Sequence, residues 1–427
     1  MAVKPGYKLT EVGVIPEDWE VSQVGTVAGY TNGKAHEGLI NELGKYVVVN
    51  SKFVSTSGNV FKFSNQRLSP AFKGEILMVM SDVPNGRAIA KCFFVDRDDY
   101  YTINQRICAL RPIQIDEKFL FYQINRNQFY LDFDDGVKQT NLRKNDVLSC
   151  PLALPTEEEQ HAIATALSDV DTLITKLDQL IAKKRDIKQA TMQQLLTGQT
   201  RLPGFSGKWE VKRLGTTATL KARIGWQGLT TAEYLNTGDY YLVTGTDFKG
   251  GYIDWNNCHY VDESRYKQDR YIQLTKYDVL VTKDGTIGKV ALVNDLYIPA
   301  TLNSGVFVIR PIDGAFHPEF FYYLLCSKLF TEFLTQLSAG STINHLYQKD
   351  FVDFRYKTPP TLSEQAAIAT ILSDMDAEIT ALESRRDKTR ALKQGMMQEL
   401  LMGRIRLPIA KHHMVSDRTN PAVETRK

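Results

Sequence analysis

Pro155-Thr156-Glu157-Glu158-Glu159-Gln160 begins a stretch that runs to Arg201-Leu202-Pro203, and Pro360-Thr361-Leu362-Ser363-Glu364-Gln365 begins one that runs to Arg406-Leu407-Pro408. The two align without a gap at an offset of 205, with 27 of 49 positions identical. Similarity at a fixed period within one chain marks a duplication and sets the architecture before any local reading. Both copies carry helix punctuation. Each opens with proline and T-x-x-E, a capping box pairing Thr156 with Glu159 and Thr361 with Glu364, and each closes with a glycine, Gly198 or Gly403, and a proline five residues on.

Inside the first copy Ile163, Leu167, Val170, Ile174, Leu177 and Ile181 recur at alternating steps of four and three; Ile368, Leu372, Met375, Ile379 and Leu382 repeat the pattern in the second. That spacing is a coiled-coil seam. A stripe so narrow buries poorly alone, so the two helices are expected to pack on each other as rods of roughly 60 Å.

A weaker resemblance joins the segments before the helices. Trp19-Glu20-Val21 and Gly25 match Trp209-Glu210-Val211 and Gly215; Asn104 and Arg111-Pro112 match Asn303 and Arg310-Pro311; Gly136, Leu142 and Asp146 match Gly340, Leu346 and Asp350. The offset drifts from 190 to 204, as loops of unequal length require. The chain thus reads as a tandem repeat of domain then helix. The fold class is α+β: two mixed α/β domains and two long helices that pack on each other. The expected divisions are residues 1–154 and 201–359 for the domains, 155–200 and 360–404 for the helices, and 405–427 for a disordered basic tail.

Within the domains, Tyr46-Val47-Val48-Val49, Glu75-Ile76-Leu77-Met78-Val79, Ile107-Cys108-Ala109-Leu110, Val279-Leu280-Val281 and Val306-Phe307-Val308-Ile309 read as strands between Gly, Asn and Asp turn signals. A helix is expected near residues 119–129, with a counterpart near 319–333.

A chain of 427 residues accommodates two cores. Its 43% hydrophobic and 24% charged residues are those of an ordinary globular protein. No stretch approaches 18 uninterrupted apolar residues, and residues 1–10 lack the apolar core of a secretory signal, so a cytoplasmic location is expected. Cys92, Cys108, Cys150, Cys258 and Cys326 are scattered singly, which indicates buried thiols and neither disulfides nor zinc. The net charge of +3 would not by itself suggest a nucleic-acid partner.

The two P-T-x-x-E-Q-x-x-I-A-T-x-L-S-D-x-D stretches at 155–171 and 360–376, with the W-E-V starts at 19 and 209, resemble the specificity subunits of type I restriction-modification systems over nearly the whole chain. The resemblance implies that each globular unit is a target recognition domain for one half of a bipartite double-stranded DNA sequence, and that the two long helices separate these domains as an antiparallel coiled coil with pseudo-twofold symmetry. It implies two adenine-methyltransferase subunits that carry S-adenosylmethionine and motor-nuclease subunits that use ATP and Mg. No cofactor or metal is expected on this chain, and no membrane partner. Physically, two half-sites on one face of a duplex need two readers, normally supplied by a dimer. A duplicated chain supplies them covalently, and a rigid helical pair then acts as a ruler for the unread spacer.

Catalytic patterns are missing. Gly285-Thr286-Ile287-Gly288-Lys289 falls short of a phosphate loop because Lys283 stands where the first glycine belongs, and Asn420-Pro421-Ala422 lacks the aromatic residue of an adenine-methylation motif. No histidines fall at H-E-x-x-H spacing, and His412-His413 lies in the tail. For DNA contact the candidates are paired loops: Ser81-Asp82-Val83-Pro84-Asn85-Gly86-Arg87 with Lys283-Asp284-Gly285-Thr286-Ile287-Gly288-Lys289, and Lys138-Gln139-Thr140-Asn141 with Ser341-Thr342-Ile343-Asn344. Asn85, Arg87, Lys138, Gln139, Asn141, Lys144, Lys283, Thr286, Lys289, Thr342, Asn344 and Lys349 are the residues expected to reach DNA, Gln139 and Asn344 as amides suited to adenine. Gln160, Asp169 and Asp171 recur at Gln365, Asp374 and Asp376, which suggests two equivalent docking surfaces for methyltransferase subunits. Two other readings compete: a self-contained methyltransferase, and a coiled-coil scaffold without a nucleic-acid role.

Overall fold

The computed structural model describes residues 4–225, 228–338 and 345–408. The chain divides into two compact units whose boundaries fall inside the long helices: residues 1–177 with 385–427, and residues 178–384. Compactness therefore cuts the chain differently from its covalent order of domain, helix, domain, helix. Residues 409–427, the bulk of the expected tail, lie outside the described residues.

The duplicated stretch forms two long helices, Glu157–Thr197 and Leu362–Leu400. Acidic residues in their first turns suit the positive end of the helix dipole. Gly198 and Gly403, at φ +72 and +63, take the left-handed backbone that ends a helix cheaply only with glycine. Half of each expected capping box is present: Thr156 Oγ1 accepts from Glu159 N at 3.4 Å and Thr361 Oγ1 from Glu364 N at 3.3 Å. The glutamate side chains do not reach back; they are drawn to arginines described below.

In the first unit, Ala28–Asn32, Ile107–Pro112, Ile76–Val79 and Cys92–Phe94 form an antiparallel sheet in that order. A smaller sheet sets Tyr46–Val49 between Tyr101–Ile103, which runs parallel to it, and Phe63–Ser64. Glu20–Gln23, from the W-E-V start, pairs with Pro151–Leu154 just before the helix. Trp19 is 1% exposed and packs with Phe119 and Tyr122 of its own domain, with Ile163, Ala164 and Leu167 of the first long helix, and with Leu400 and Leu401 at the end of the second.

The second unit repeats this plan. Ala218–Lys221, Val306–Pro311, Val279–Thr282 and Val290–Leu292 take the same sheet order, extended by the hairpin Phe248–Lys249 and Tyr252–Ile253. Tyr240–Val243 again runs parallel to Ala300–Leu302, and Glu210–Arg213 pairs with Arg355–Thr358. The extra hairpin lies where the offset rises from 194, at Tyr46 and Tyr240, to 203, at Ile76 and Val279; loops of unequal length beyond it bring the offset to 199 at Ile107 and Val306. Here Ile368, Ala369 and Leu372 pack with Leu195, Leu196, Phe320 and Phe321.

In each unit, then, the beginning of one long helix lies against the end of the other, which is antiparallel pairing. Of the seam positions, Ile163, Leu167, Leu177, Ile181, Ile368, Leu372 and Ile379 are buried, while Val170, Ile174, Met375 and Leu382 are half-buried. The first seam residues of each helix also bury against their globular domain. Burial contributes on the order of 2 kcal/mol per large apolar side chain, so this three-way contact fixes helix and domain together.

Each single helix expected near 119–129 and 319–333 is broken in two: Glu117–Ile124 with Gln128–Leu131, and Pro318–Leu325 with Lys328–Leu337. In the first unit the cause is Arg126 at φ +59, followed by Asn127, whose side chain accepts from Phe129 N and starts a new helix. Four of the five cysteines are buried as expected; Cys326 is exposed. No helix among the described residues is long and apolar enough to cross a membrane.

Candidate nucleic-acid interface

The two loops singled out in the first half come together. Ser81–Asp82 pairs antiparallel with Thr140–Asn141, and Leu142 N donates to Met80 O at 2.8 Å. Gln139 Nε2 donates to Ser81 Oγ at 2.7 Å and to Asn141 Oδ1 at 3.3 Å. Asn85 Nδ2 reaches Gly136 O at 3.1 Å.

Asp82 frames the first loop. Its Oδ1 accepts from Val83 N at 2.9 Å, and its Oδ2 from Ala88 N at 2.6 Å and Ile89 N at 3.1 Å. Gly86 lies so close beneath that a Cβ there would fall 2.1 Å from Oδ2. Held this way, Asn85, Arg87, Lys138, Gln139, Asn141 and Lys144 are exposed. Arg87, Lys138 and Lys144 have no carboxylate partner among the described residues, and Lys144 Nζ sits 5.5 Å over the Tyr30 ring. Burial pushes the Tyr30 phenol well above its ordinary range, so it remains a neutral donor.

The second unit builds the same surface with different chemistry. Asp284 bridges antiparallel to His345, whose ring nitrogen meets the Asp284 carboxylate, and Leu346 N donates to Lys283 O at 2.8 Å. Thr282 frames this loop, donating to Thr286 O at 2.5 Å and accepting from Lys289 N at 2.9 Å. Thr286, Lys289 and Lys349 are exposed; Lys283 is half-buried with its ammonium 5.6 Å over the Phe307 ring. Thr342 and Asn344 lie outside the described residues.

One neighbour of these loops was not singled out in the sequence. The turn Asn104-Gln105-Arg106 adjoins Met80, whose N donates to Arg106 O at 3.0 Å, and Gly305 stands in the same relation to Lys283 N at 2.9 Å. Asn104 N and Asn303 N donate to Val49 O and Val243 O at 3.0 and 2.9 Å. The signal was present, because Asn104 and Asn303 match in the repeat, but a shared asparagine before a strand reads equally as a turn former.

The expected docking residues divide. Gln160 and Gln365 are 4% and 2% exposed, and both ends of each amide are engaged: Oε1 accepts from Asp116 N or His317 N, and Nε2 donates to Pro155 O or Pro359 O. They join helix to domain and do not face a partner, which corrects the reading from sequence. Asp171 accepts from Tyr122 OH at 2.8 Å and meets Lys393 Nζ at 2.6 Å. Asp376 accepts from Tyr323 OH at 2.9 Å and pairs with Lys188. Asp169 and Asp374 alone of the six are exposed. No group of three or more His, Cys, Asp and Glu among the described residues could hold a metal ion.

Fold and surface define an internally duplicated protein with two like loop surfaces, each bearing exposed cations and polar side chains and each set on an antiparallel pair of helical segments. A profile for the type I restriction modification DNA specificity domain matches the chain twice, at residues 16–185 and 206–390. The chain belongs to this family, the specificity subunits of type I restriction-modification systems. It is 24% identical to the type I restriction enzyme MjaVIII specificity subunit of Methanocaldococcus jannaschii, across 92% of this chain and 94% of that one. It is 20% identical to the EcoDI specificity subunit of Escherichia coli, across 91% and 88%. The fold resembles the crystal structure of a type I S subunit from M. genitalium, with TM-score 0.60, 18% identity and coverage of 93% and 98%. A chain solved in work on complex assembly of a type I restriction-modification system gives TM-score 0.52 at 17% identity, covering 92% and 99%.

Proposed function

We propose that this chain recognises DNA for a type I restriction-modification complex without catalysing a reaction, each unit reading one half of a split sequence. The observation that carries this reading is a loop surface built twice on one strand plan, with side chains that differ between the copies. Ser81, Asn85, Gln139 and Asn141 of the first stand against Lys283, Thr286 and His345 of the second. Amide, hydroxyl and cationic groups at base edges specify sequence, so unlike sets read unlike half-sites.

The long helices set the unread spacer, and two adenine-methyltransferase subunits dock on them, with the exposed pair Asp169 and Asp374 as equivalent contacts. S-adenosylmethionine, ATP and Mg belong to the methyltransferase and motor-nuclease partners, and the assembly works in the cytoplasm. The test is genome-wide mapping of methylated adenine with and without this chain. Loss of a single split motif is expected; an unchanged map overturns the proposal.

A further inference from the structure

Beside the paired loops of the first unit lies a cavity of 460 Å³. Lys52, Lys62 and Arg106 line it, and none of the three has a carboxylate partner among the described residues. The one carboxylate in the lining, Glu37, receives Gln105 Nε2 at 3.1 Å. Ser51 also lines the cavity, and its hydroxyl is shut off from solvent without a hydrogen-bond partner. A buried hydroxyl normally finds a partner, and converging cations in a concavity concentrate a positive field. Both call for an anion with several acceptor oxygens.

We propose that this cavity seats a phosphodiester of the DNA backbone, with Lys52, Lys62 and Arg106 neutralising it and Ser51 donating a hydrogen bond. The choice of a DNA phosphate over a free one rests on continuity: Arg106 O accepts from Met80 N, so the cavity adjoins the loop that begins at Ser81. It rests also on the reading of this chain as a DNA-binding subunit. Contacts of this kind position a duplex without reading its sequence. The second unit lacks two of the three matching cations and has His259 where the first has Lys62. Gly245 and Thr246 stand where the first has Ser51 and Lys52, and Ser304 and Gly305 where it has Gln105 and Arg106. The first unit is therefore the stronger anchor, and the second binds with less help from phosphate.

The experiment uses the full chain, alone and with its methyltransferase subunits, and two duplexes, one carrying the mapped motif and one of unrelated sequence. Affinity is measured against salt for the wild type, for Lys52→Ala, Lys62→Ala, Arg106→Ala and Ser51→Ala, for the triple cation variant, and for Lys62→Arg. Each lost cation is expected to lower the slope of log affinity against log salt by about 0.9 and to weaken both duplexes equally. Lys62→Arg is expected to retain the wild-type slope. A wild type that binds neither duplex overturns the DNA reading and this proposal with it. Wild-type binding with an unchanged slope in the triple variant overturns the cavity proposal alone, as does a loss confined to the cognate duplex. Inorganic phosphate, titrated at constant ionic strength, identifies the other source. Phosphate held by the wild type and lost in the triple variant, with DNA affinity unmoved, makes this a free-phosphate site and also overturns the proposal.

Discussion

Arg406 grips Glu159 in a two-pronged ion pair, Nη2 lying 2.8 Å from Oε2 and Nε bonded to Oε1. Arg406 follows the end of the second long helix, and Glu159 belongs to the first turn of the first. Arg201 and Glu364 form the reciprocal pair in the other unit, at 3.0 and 2.6 Å, with both residues displaced by the repeat offset of 205. Each clamp fastens the end of one helix to the start of the other. Glu159 and Glu364 are each 1% exposed. Arg406 also holds Asp18, and that contact draws the Asp18 carboxyl below its usual range.

Removing the arginine strands a buried carboxylate. Breaking a buried pair from one side costs about 3–5 kcal/mol. The Arg406 side chain is 40% exposed, so solvent screens part of that, and about 2 kcal/mol is the expected loss for Arg406→Ala. Arg201→Ala is expected to cost somewhat more, because its partner has no tryptophan donor to fall back on, whereas Glu159 keeps Trp19 Nε1 at 3.1 Å. Urea denaturation of the two variants checks both size and order; equal stability of wild type and variants refutes the clamp.

The first reading loop should be brittle. In Gly86→Ala the new methyl group meets the Asp82 carboxylate and must displace it from Ala88 N and Ile89 N. Losing those bonds costs about 1–3 kcal/mol. Gly285→Ala in the second unit meets no atom within 4 Å and bears only the strain of φ +68, roughly 1 kcal/mol. Gly86→Ala is expected to abolish recognition of one half-site and Gly285→Ala to spare both, as measured on duplexes with one half-site altered at a time.

Gln139 supplies a test of division of labour. Its amide is exposed and oriented by Ser81 and Asn141. Gln139→Ala is expected to relax one position of one half-site, costing about 1–3 kcal/mol of discrimination there and leaving the other half-site intact. Methylation mapping of the variant decides this; relaxation in both half-sites contradicts independent reading.

Thiol chemistry follows from burial. Desolvation pushes Cys108 and Cys150 up to about 12 and holds Cys92 and Cys258 above the ordinary thiol range. A raised value means less thiolate at a given pH, on the order of one part in 10⁴ at pH 8 for a thiol near 12. Cys326 as a residue presents surface to solvent, although burial of its sulfur pushes the thiol up to about 11. Ellman titration of the native chain at pH 8 is expected to find one slowly reacting thiol, faster as pH rises, and five after unfolding. Rapid native labelling at Cys108 or Cys150 contradicts the burial.

The duplication, both long helices and the main strands were legible in the sequence because they rest on local signals: offset identity, seam spacing and β-branched runs. The clamps were not. Arg201 and Arg406 are conspicuous in the repeat, but nothing local says that Arg406 meets Glu159, 247 residues away. A polar residue that recurs reads the same whether it faces a partner or pins the fold, so the sequence alone does not tell Gln160 and Gln365, which join helix to domain, from a docking surface. The paired loops were found because small, polar and basic residues cluster in each; the Ser51 to Lys62 side of the cavity was not, since its members share a surface only after folding.

The ruler idea is tested by lengthening both helices together. The pairs that hold helix ends, Arg406 with Glu159 and Arg201 with Glu364, forbid an insertion near Gln194, because shifting one helix alone would pull Arg201 from its partner. Seven residues inserted after Leu177 and seven more after Ser384, with apolar residues kept at the seam spacing, preserve every clamp within its own unit. Seven residues lengthen a helix by about 10 Å, close to three base-pair steps of about 3.4 Å. The expected result is a methylated motif with the same two half-sites and a spacer longer by about three base pairs. Unchanged half-sites at the original spacing would show that something other than the helices sets the interval.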